Sequence, residues 1–310
     1  MKTETKSSIA GKVVIVTGAS SGIGEAAAWE FGQLGAKTVL TARRAERLER
    51  LAKKIQSVGG TALPVPTDLT DEKQISNLVR ETLSNFGRID ILANIAGWGH
   101  YDWFEELTNY TLRQQFEVNI IGMAELIRQV LPTMKTQRSG IIINMSSYSS
   151  KISVPPLTVY SSTKSAVEGL SDGLRRELAP WGIKVIRIHP SAVTGTEFKE
   201  KAIANGGVEY STVPIGQVSR EEVAKAIVKL VGDPQPSLFL GRVYDVPATT
   251  NLLFPSLIDW ISSAWVKKER RKELGKSSRT DYNVLSSAMQ WSALAAVSVF
   301  LVGWLVKKRP

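Results

Sequence analysis

The segment TGASSGIG, residues 17–24, follows the β-branched run VVIVT (13–17) and leads directly into the helical pattern GEAAAWEFGQLG (24–35). A strand, a glycine-rich turn and a helix start in that order form a receptor for an anion. Gly18, Gly22 and Gly24 permit a tight turn and close approach of a pyrophosphate to the backbone, where the first helical N–H groups and the helix dipole favour negative charge. A generic glycine-rich turn needs none of this context, and here a βαβ unit surrounds the loop. The same letters, GASSG (18–22), also fit the GxSxG nucleophile elbow of hydrolases. That reading places the nucleophile at Ser20, needs His189 as the late base, and suffers because the loop follows the first strand with no HGGG-type segment before it.

Working outward from the loop, short apolar runs alternate with longer amphipathic ones: KTVLTA (37–42), ERLERLAKKIQSVGG (46–60), TALPVPTD (61–68) and IDILAN (89–94). A helical stretch from about Thr108 to Met134 follows, then GIIINMSS (140–147), a helix across 158–179, and IKVIRIHP (183–190). This alternation predicts a parallel sheet with helices on both faces, an α/β doubly wound domain of about seven strands. The seventh strand is expected near GRVYDV (241–246). At the end of the second strand, where an acid would bind the ribose 2′-OH of NAD, the chain reads LTARRAERL, with Arg43 and Arg44 and no acid before Glu46. Cations are mildly disfavoured at a helix start, so this pair is read as a site for the 2′-phosphate of NADP(H).

The chain of 310 residues has no cysteine, which excludes disulfides, thiol nucleophiles and Cys-bound metals. Its only histidines are His100 and His189, so no His-rich metal site exists. The net charge of +10 is unevenly placed: residues 267–310 carry ten Lys/Arg against three acids, a net +7, and the other 266 residues only +3. That basic tail brackets the uncharged segment 282–306, which favours a membrane over a nucleic acid as partner. A 22-residue helix rises about 33 Å against a hydrocarbon core of roughly 30 Å, so 284–306 is expected to span. Trp291 and Trp304 lie near its ends as interfacial aromatics would. The expected organisation is a catalytic domain over 1–250, an amphipathic and basic linker over 251–283, the span over 284–306 and a basic tail over 307–310. The polar N-terminus lacks a signal-like apolar region, and seven Lys/Arg precede the span against three after it. A single-pass C-terminal anchor with the catalytic domain on the cytoplasmic side is therefore expected.

Taken together, TGASSGIG, the NIAG of 94–97, Ser147 thirteen residues before Tyr160, and YSSTK (160–164) make residues 9–250 resemble the classical short-chain dehydrogenase/reductase family. The resemblance implies a Rossmann-like fold, here with NADP(H) as cofactor, and Asn119, Ser147, Tyr160 and Lys164 as the catalytic set. It implies that Gly18, Ser20, Ser21, Gly22, Ile23, Gly24, Arg43 and Arg44 hold the cofactor together with Asp68, Leu69, Asn94, Ala96, Gly97, Tyr160 and Lys164, and that residues 94–97 also brace the sheet. Val193 and Thr196 are assigned to the nicotinamide amide. Two positions depart from the family pattern: Ile95 replaces the usual second Asn, and Ser191 follows Pro190 where glycine is usual.

Tyr160 and Lys164 stand four apart, one above the other on a helix. In carbonyl reduction a phenol supplies a proton to the developing alkoxide, and Lys164 is expected to draw its pKa down. By the resemblance, Ser147 polarises the carbonyl, Lys164 holds the ribose hydroxyls, and Asn119 positions a water that connects Lys164 to solvent. The aromatics of WGHYDWFEEL, Trp98, Tyr101, Trp103 and Phe104, suit an apolar substrate wall, a core contact or an oligomer contact. Residues 197–217 read as a loop over the site. Leu253, Leu257, Ile261 and Trp265 fall at helical spacing, and their segment could cover the pocket, pack a partner subunit or lie in a membrane interface. The expected substrate is a small, lipophilic carbonyl or alcohol compound; a homo-oligomer stays open, as does a non-catalytic cofactor-binding scaffold.

Overall fold

The computed structural model of the chain describes residues 8–153, 155–202, 216–241 and 250–273. In chain order the elements are β1 (Val13–Thr17), α1 (Gly22–Gln33), β2 (Lys37–Ala42), α2 (Ala45–Gln56), β3 (Thr61–Pro66), α3 (Glu72–Phe86) and β4 (Ile91–Asn94). There follow α4 (Asn109–Phe116), α5 (Gly122–Gln137), β5 (Gly140–Met145), α6 (Thr158–Glu177), β6 (Ile183–Pro190), β7 (Val193–Thr194) and α7 (Phe198–Ala202). The last are β8 (Val218–Ser219), α8 (Arg220–Gly232), β9 (Ser237–Leu240) and α9 (Pro255–Glu273).

Seven parallel strands form one sheet in the order β3-β2-β1-β4-β5-β6-β9, and β7 pairs with β8 apart from it. All five residues of β1 are buried, as a strand covered on both faces requires. Val14 and Val16 point into one core with Phe31 of α1, Leu48 of α2 and Ile227 of α8; Val13 and Ile15 point into the other with Leu78 of α3 and Leu126 of α5. Complete burial of each such side chain is worth roughly 1.5–3 kcal/mol, which is why a continuous apolar run specifies a central strand.

The strand order reverses at β1, whose neighbours are β2 and β4. In such sheets the crevice outside the carboxyl ends of the strands at this reversal is where ligands bind. Here the loops after β1 and β4 come into close contact: a Cβ on Gly18 would lie 3.0 Å from the Ala96 backbone.

Three regions refine the expected pattern. The helical stretch expected from about 108 to 134 runs without a gap from Asn109 to Gln137 and contains a π-helical turn over Glu117–Ile121, which carries Asn119; such turns re-aim side chains within a helix. The seventh strand is Ser237–Leu240, just before the expected position, because β9 must pair with Arg187–Pro190 of β6; residues 242–249 lie outside the described residues. At the C-terminal end, α9 begins at Pro255, so Leu253 lies before it and is 54% exposed, and Ile258 is buried. Helix α9 packs on the loop after β4, with the Trp265 and Trp103 rings 6.3 Å apart and the Arg270 guanidinium 3.9 Å from the Trp103 ring centre. Among the described residues no helix is long and apolar enough to cross a membrane. The expected span 284–306 and tail 307–310 lie outside the described residues, as does the linker beyond 273.

Candidate active site

At the carboxyl ends of the strands lies a cavity of about 1010 Å³, at the top of the range usual for small-molecule sites and large enough for a dinucleotide with a substrate beside it. Its first wall is the glycine loop: Gly18, Ser20, Ser21, Gly22, Ile23 and Gly24 all line it. Gly18 and Gly22 have φ of +72° and +58°, and a Cβ on Gly24 would stand 2.3 Å from the Gly18 carbonyl oxygen. Glycine is therefore required for the loop to close this tightly. Ser21, at the N-cap of α1, makes no side-chain capping bond. By contrast Asp71 caps α3 and Ser219 caps α8 through full side-chain hydrogen bonds. The uncapped turn of α1 leaves its first amides to an anion, so these residues fit a pyrophosphate.

Along the same cavity stand Arg43, Arg44, Asp68, Leu69, Ala96, Gly97, Val193 and Thr196. Asn94 does not line it. That side chain is 3% exposed and donates to Asn144 Oδ1 at 2.9 Å, and Asn144 in turn donates to Ser171 Oγ, so Asn94 braces β4 and β5 against α6. Ile95 joins the apolar core on one face of the sheet. Thr17 Oγ1 accepts from the amides of Ile95 and Ala96, both at 2.9 Å, and ties β1 to the NIAG turn. Ser191 takes ordinary backbone geometry, since Arg138 is the only non-glycine residue with positive φ among those described, and its amide donates to the Leu240 carbonyl at 2.9 Å.

At the far end Ser147, Tyr160 and Lys164 line the cavity together. Helix α6 presents Tyr160 and Lys164 on one face, with Lys164 Nζ 5.6 Å from the phenol ring centre and donating to the Met145 carbonyl at 2.8 Å. Ser147, at the end of β5, hydrogen-bonds the Tyr160 hydroxyl. The expectation that Lys164 draws the phenol down is not met. Burial pushes Tyr160 up to about 12, against an opposing hydrogen bond from Ser147. Burial also pushes Lys164 down to about 8. In this site desolvation is the dominant influence on both groups. At neutral pH the phenol is fully protonated, the state a proton donor needs.

Asn119 is 1% exposed and lies outside the cavity wall. Its Oδ1 accepts from Trp98 N at 2.8 Å, and its Nδ2 donates to Trp98 O at 2.7 Å and to Thr163 Oγ1 at 3.0 Å. Asn119 thus clamps the loop after β4 to α6. It stays near Lys164 across Gly97, where a Cβ would lie 3.4 Å from Lys164 Nζ and 3.5 Å from Asn119 Oδ1.

Of the four aromatics expected at the substrate end, Trp98 and Tyr101 line the cavity. Trp103 is buried under α9, and Phe104 is 59% exposed. Sequence reasoning missed Phe198, whose ring centre is 5.4 Å from that of Tyr160, and the polar cluster behind Ser147. There Glu168 accepts from Ser146 Oγ at 2.5 Å, Lys151 Nζ at 2.8 Å and Arg187 Nη1 at 3.1 Å, and pairs with His189 Nε2 at 2.7 Å. His189 Nδ1 faces Ser237 Oγ at 3.3 Å, and its ring stacks on Phe239 at 4.1 Å. Both ring nitrogens are thus engaged away from Ser20, whose hydroxyl accepts from Arg44. The hydrolase reading fails on this geometry.

The profile of the family described as "short chain dehydrogenase" matches residues 12–206. A "Dehydrogenase/reductase SDR family protein 7-like" of Anopheles gambiae is 32% identical over 268 residues, covering 83% of this chain and 84% of the relative. Among solved structures, an alcohol dehydrogenase from the archaeon Thermococcus sibiricus complexed with 5-hydroxy-NADP superposes with a TM-score of 0.67 at 28% identity, over 75% of this chain and 97% of that one. A 3-ketoacyl-(acyl-carrier-protein) reductase from Brucella melitensis complexed with NADH gives 0.67 at 29% identity, over 75% and 96%.

Proposed function

The chain belongs to the short-chain dehydrogenase/reductase family of oxidoreductases, and from that premise we propose that it is NADP(H)-dependent and reduces a ketone or aldehyde on a lipophilic small molecule. The observation that carries this reading is the meeting of Ser147, Tyr160 and Lys164 at one end of a cavity whose other end holds the glycine loop and Arg44. When bound, the nicotinamide cofactor supplies the hydride. The chain's own residues supply the rest. Tyr160, protonated at neutral pH, gives its proton to the carbonyl oxygen as negative charge develops there. The Ser147 hydroxyl polarises the same oxygen. Lys164 in its ammonium form stabilises the phenolate left behind. This complete donor set argues against a scaffold that merely retains the fold.

Solved relatives have been captured with 5-hydroxy-NADP and with NADH, so discrimination rests on the residues after β2. Two arginines and no acid favour the 2′-phosphate. A lipophilic substrate is supported by Trp98, Tyr101, Ile152, Leu157 and Phe198 around the catalytic end. Anchoring of the catalytic domain at a membrane, on its cytoplasmic side, rests on the uncharged 282–306 segment and its basic flanks.

The test is a carbonyl screen following NADPH absorbance with the full chain in detergent, alongside Tyr160→Phe. That variant should bind NADPH as the parent does and lose nearly all turnover; turnover near the parent's would sink the mechanism. Carbonate or salt releasing intact protein from membranes would overturn the anchor.

A further inference from the structure

At the cofactor end of the cavity three cations converge on one carboxylate that the chain itself supplies. Arg44 is held by the glycine loop: Nε and Nη2 donate to Ser20 Oγ at 3.1 and 2.9 Å, and Nη2 also donates to Ser21 Oγ at 2.7 Å. Its remaining nitrogen, Nη1, donates to Glu197 Oε2 at 2.9 Å. Arg47, one helical turn on, donates to Glu197 Oε1 at 2.5 Å, and Lys201 pairs with Oε2. Hydrogen bonds from Lys201, Arg47 and Arg44, in that order, hold the Glu197 carboxyl far below the usual carboxylate range, so it is an anion throughout the physiological range. Arg47 stands just outside the main cavity, where with Ser20, Glu25, Arg50, Leu51 and Lys54 it borders a smaller hollow of about 270 Å³ beside the glycine loop.

The next residue links this corner to the chemistry. Phe198 packs its ring against Tyr160, with centres 5.4 Å apart, and its Cζ lies 2.5 Å from where a Cβ on Gly99 would be. Phe198 begins α7, whose Ala202 is buried against Tyr101 and Leu157. Glu197 and Phe198 therefore bridge the two ends of the cavity, one on the arginines and the other on the catalytic phenol.

We propose that Arg47 joins Arg44 in reading the ribose 2′-phosphate of the cofactor, and that Glu197 is a built-in competitor for that site whose displacement carries Phe198 away from Tyr160. This rests on the NADP(H) reading above and deepens it. Two guanidinium groups matched to one carboxylate suit a phosphate dianion better, since it offers more charge and three acceptor oxygens. A cofactor without the 2′-phosphate leaves Glu197 in place. Glu197 thereby sets selectivity and couples cofactor identity to access at Tyr160.

The probes are 2′,5′-ADP and 5′-ADP, titrated calorimetrically into the full chain in detergent. Glu197→Gln should bind 2′,5′-ADP about 5- to 20-fold more tightly than the parent while binding 5′-ADP equally, because only the competing charge has gone. Arg47→Gln should weaken 2′,5′-ADP about tenfold and leave 5′-ADP unchanged. In the parent, 2′,5′-ADP but not 5′-ADP should speed tryptic cleavage after Lys201 as α7 lets go. Unchanged 2′,5′-ADP affinity in Glu197→Gln, with a parental preference that Arg44→Ala abolishes, overturns this proposal and leaves the NADP(H) reading standing. No parental preference for 2′,5′-ADP over 5′-ADP overturns both.

Discussion

Glu168→Gln is the substitution whose consequence can be worked most fully from the structure. The Glu168 side chain is 12% exposed and faces Ser146, Ser150, Lys151, Arg187 and His189, while Asp172 shares Arg187. Burial alone would raise its pKa, but hydrogen bonds from His189, Lys151 and Ser146 bring it from an ordinary 4.5 down to about 2. Each unit corresponds to about 1.4 kcal/mol, so the difference amounts to about 3 kcal/mol at neutral pH. Screening at the partly exposed edge of the cluster cuts this to about 1–2 kcal/mol. Because the folded value lies below the unfolded one, this stability is present above pH 4.5 and is lost as pH falls through 4.5 toward 2. At pH 3 the unscreened contribution is roughly 1.4 kcal/mol, less than half its neutral value. Urea unfolding of the parent and of Glu168→Gln, each at pH 7 and pH 3, measures it. The gap between the two proteins should shrink by about half or more at the lower pH. A gap of equal size at both pH values would mean that Glu168 acts by shape and not by charge, and the reasoning above would be wrong.

Two further outcomes follow from the site. Carbonyl reduction should stay level below pH 8 and fall about tenfold per unit above it, because Lys164, pushed down by burial to about 8, loses the charge that stabilises the phenolate; an alkaline limb near that pH persisting in Lys164→Ala would assign it elsewhere. Gly24→Ala places a Cβ 2.3 Å from the Gly18 carbonyl oxygen and should weaken NADPH binding at least tenfold at a cost of about 1–3 kcal/mol in stability. Its control is Gly169→Ala in α6, where nothing lies within 4 Å and a gain of about 0.5–1 kcal/mol is expected in thermal unfolding.

The alternation of strand and helix, the glycine loop, the Tyr160–Lys164 pair and the absence of any metal chemistry built on cysteine were legible in the amino-acid order. These are local properties: a short β-branched apolar run bounded by turn residues suits a doubly covered strand, and within a helix an i,i+4 spacing fixes a shared face. Even here a partner strand decided one boundary, that of Ser237–Leu240, and helical periodicity did not mark the π-helical turn in which Asn119 sits. The fold alone shows that Asn94 braces the sheet through Asn144 without lining the cavity, that Asn119 clamps Trp98 to α6, and that Glu197 meets Arg44 from 153 residues away. It also decided the protonation states. Charge proximity along a helix suggested a lowered phenol, but the sign of the shift depends on how much water the fold removes, and burial around Tyr160 and Lys164 pushes both toward their neutral forms. Desolvation and long-range pairing arise from segments brought together by the sheet, and neither leaves a periodic mark on the chain.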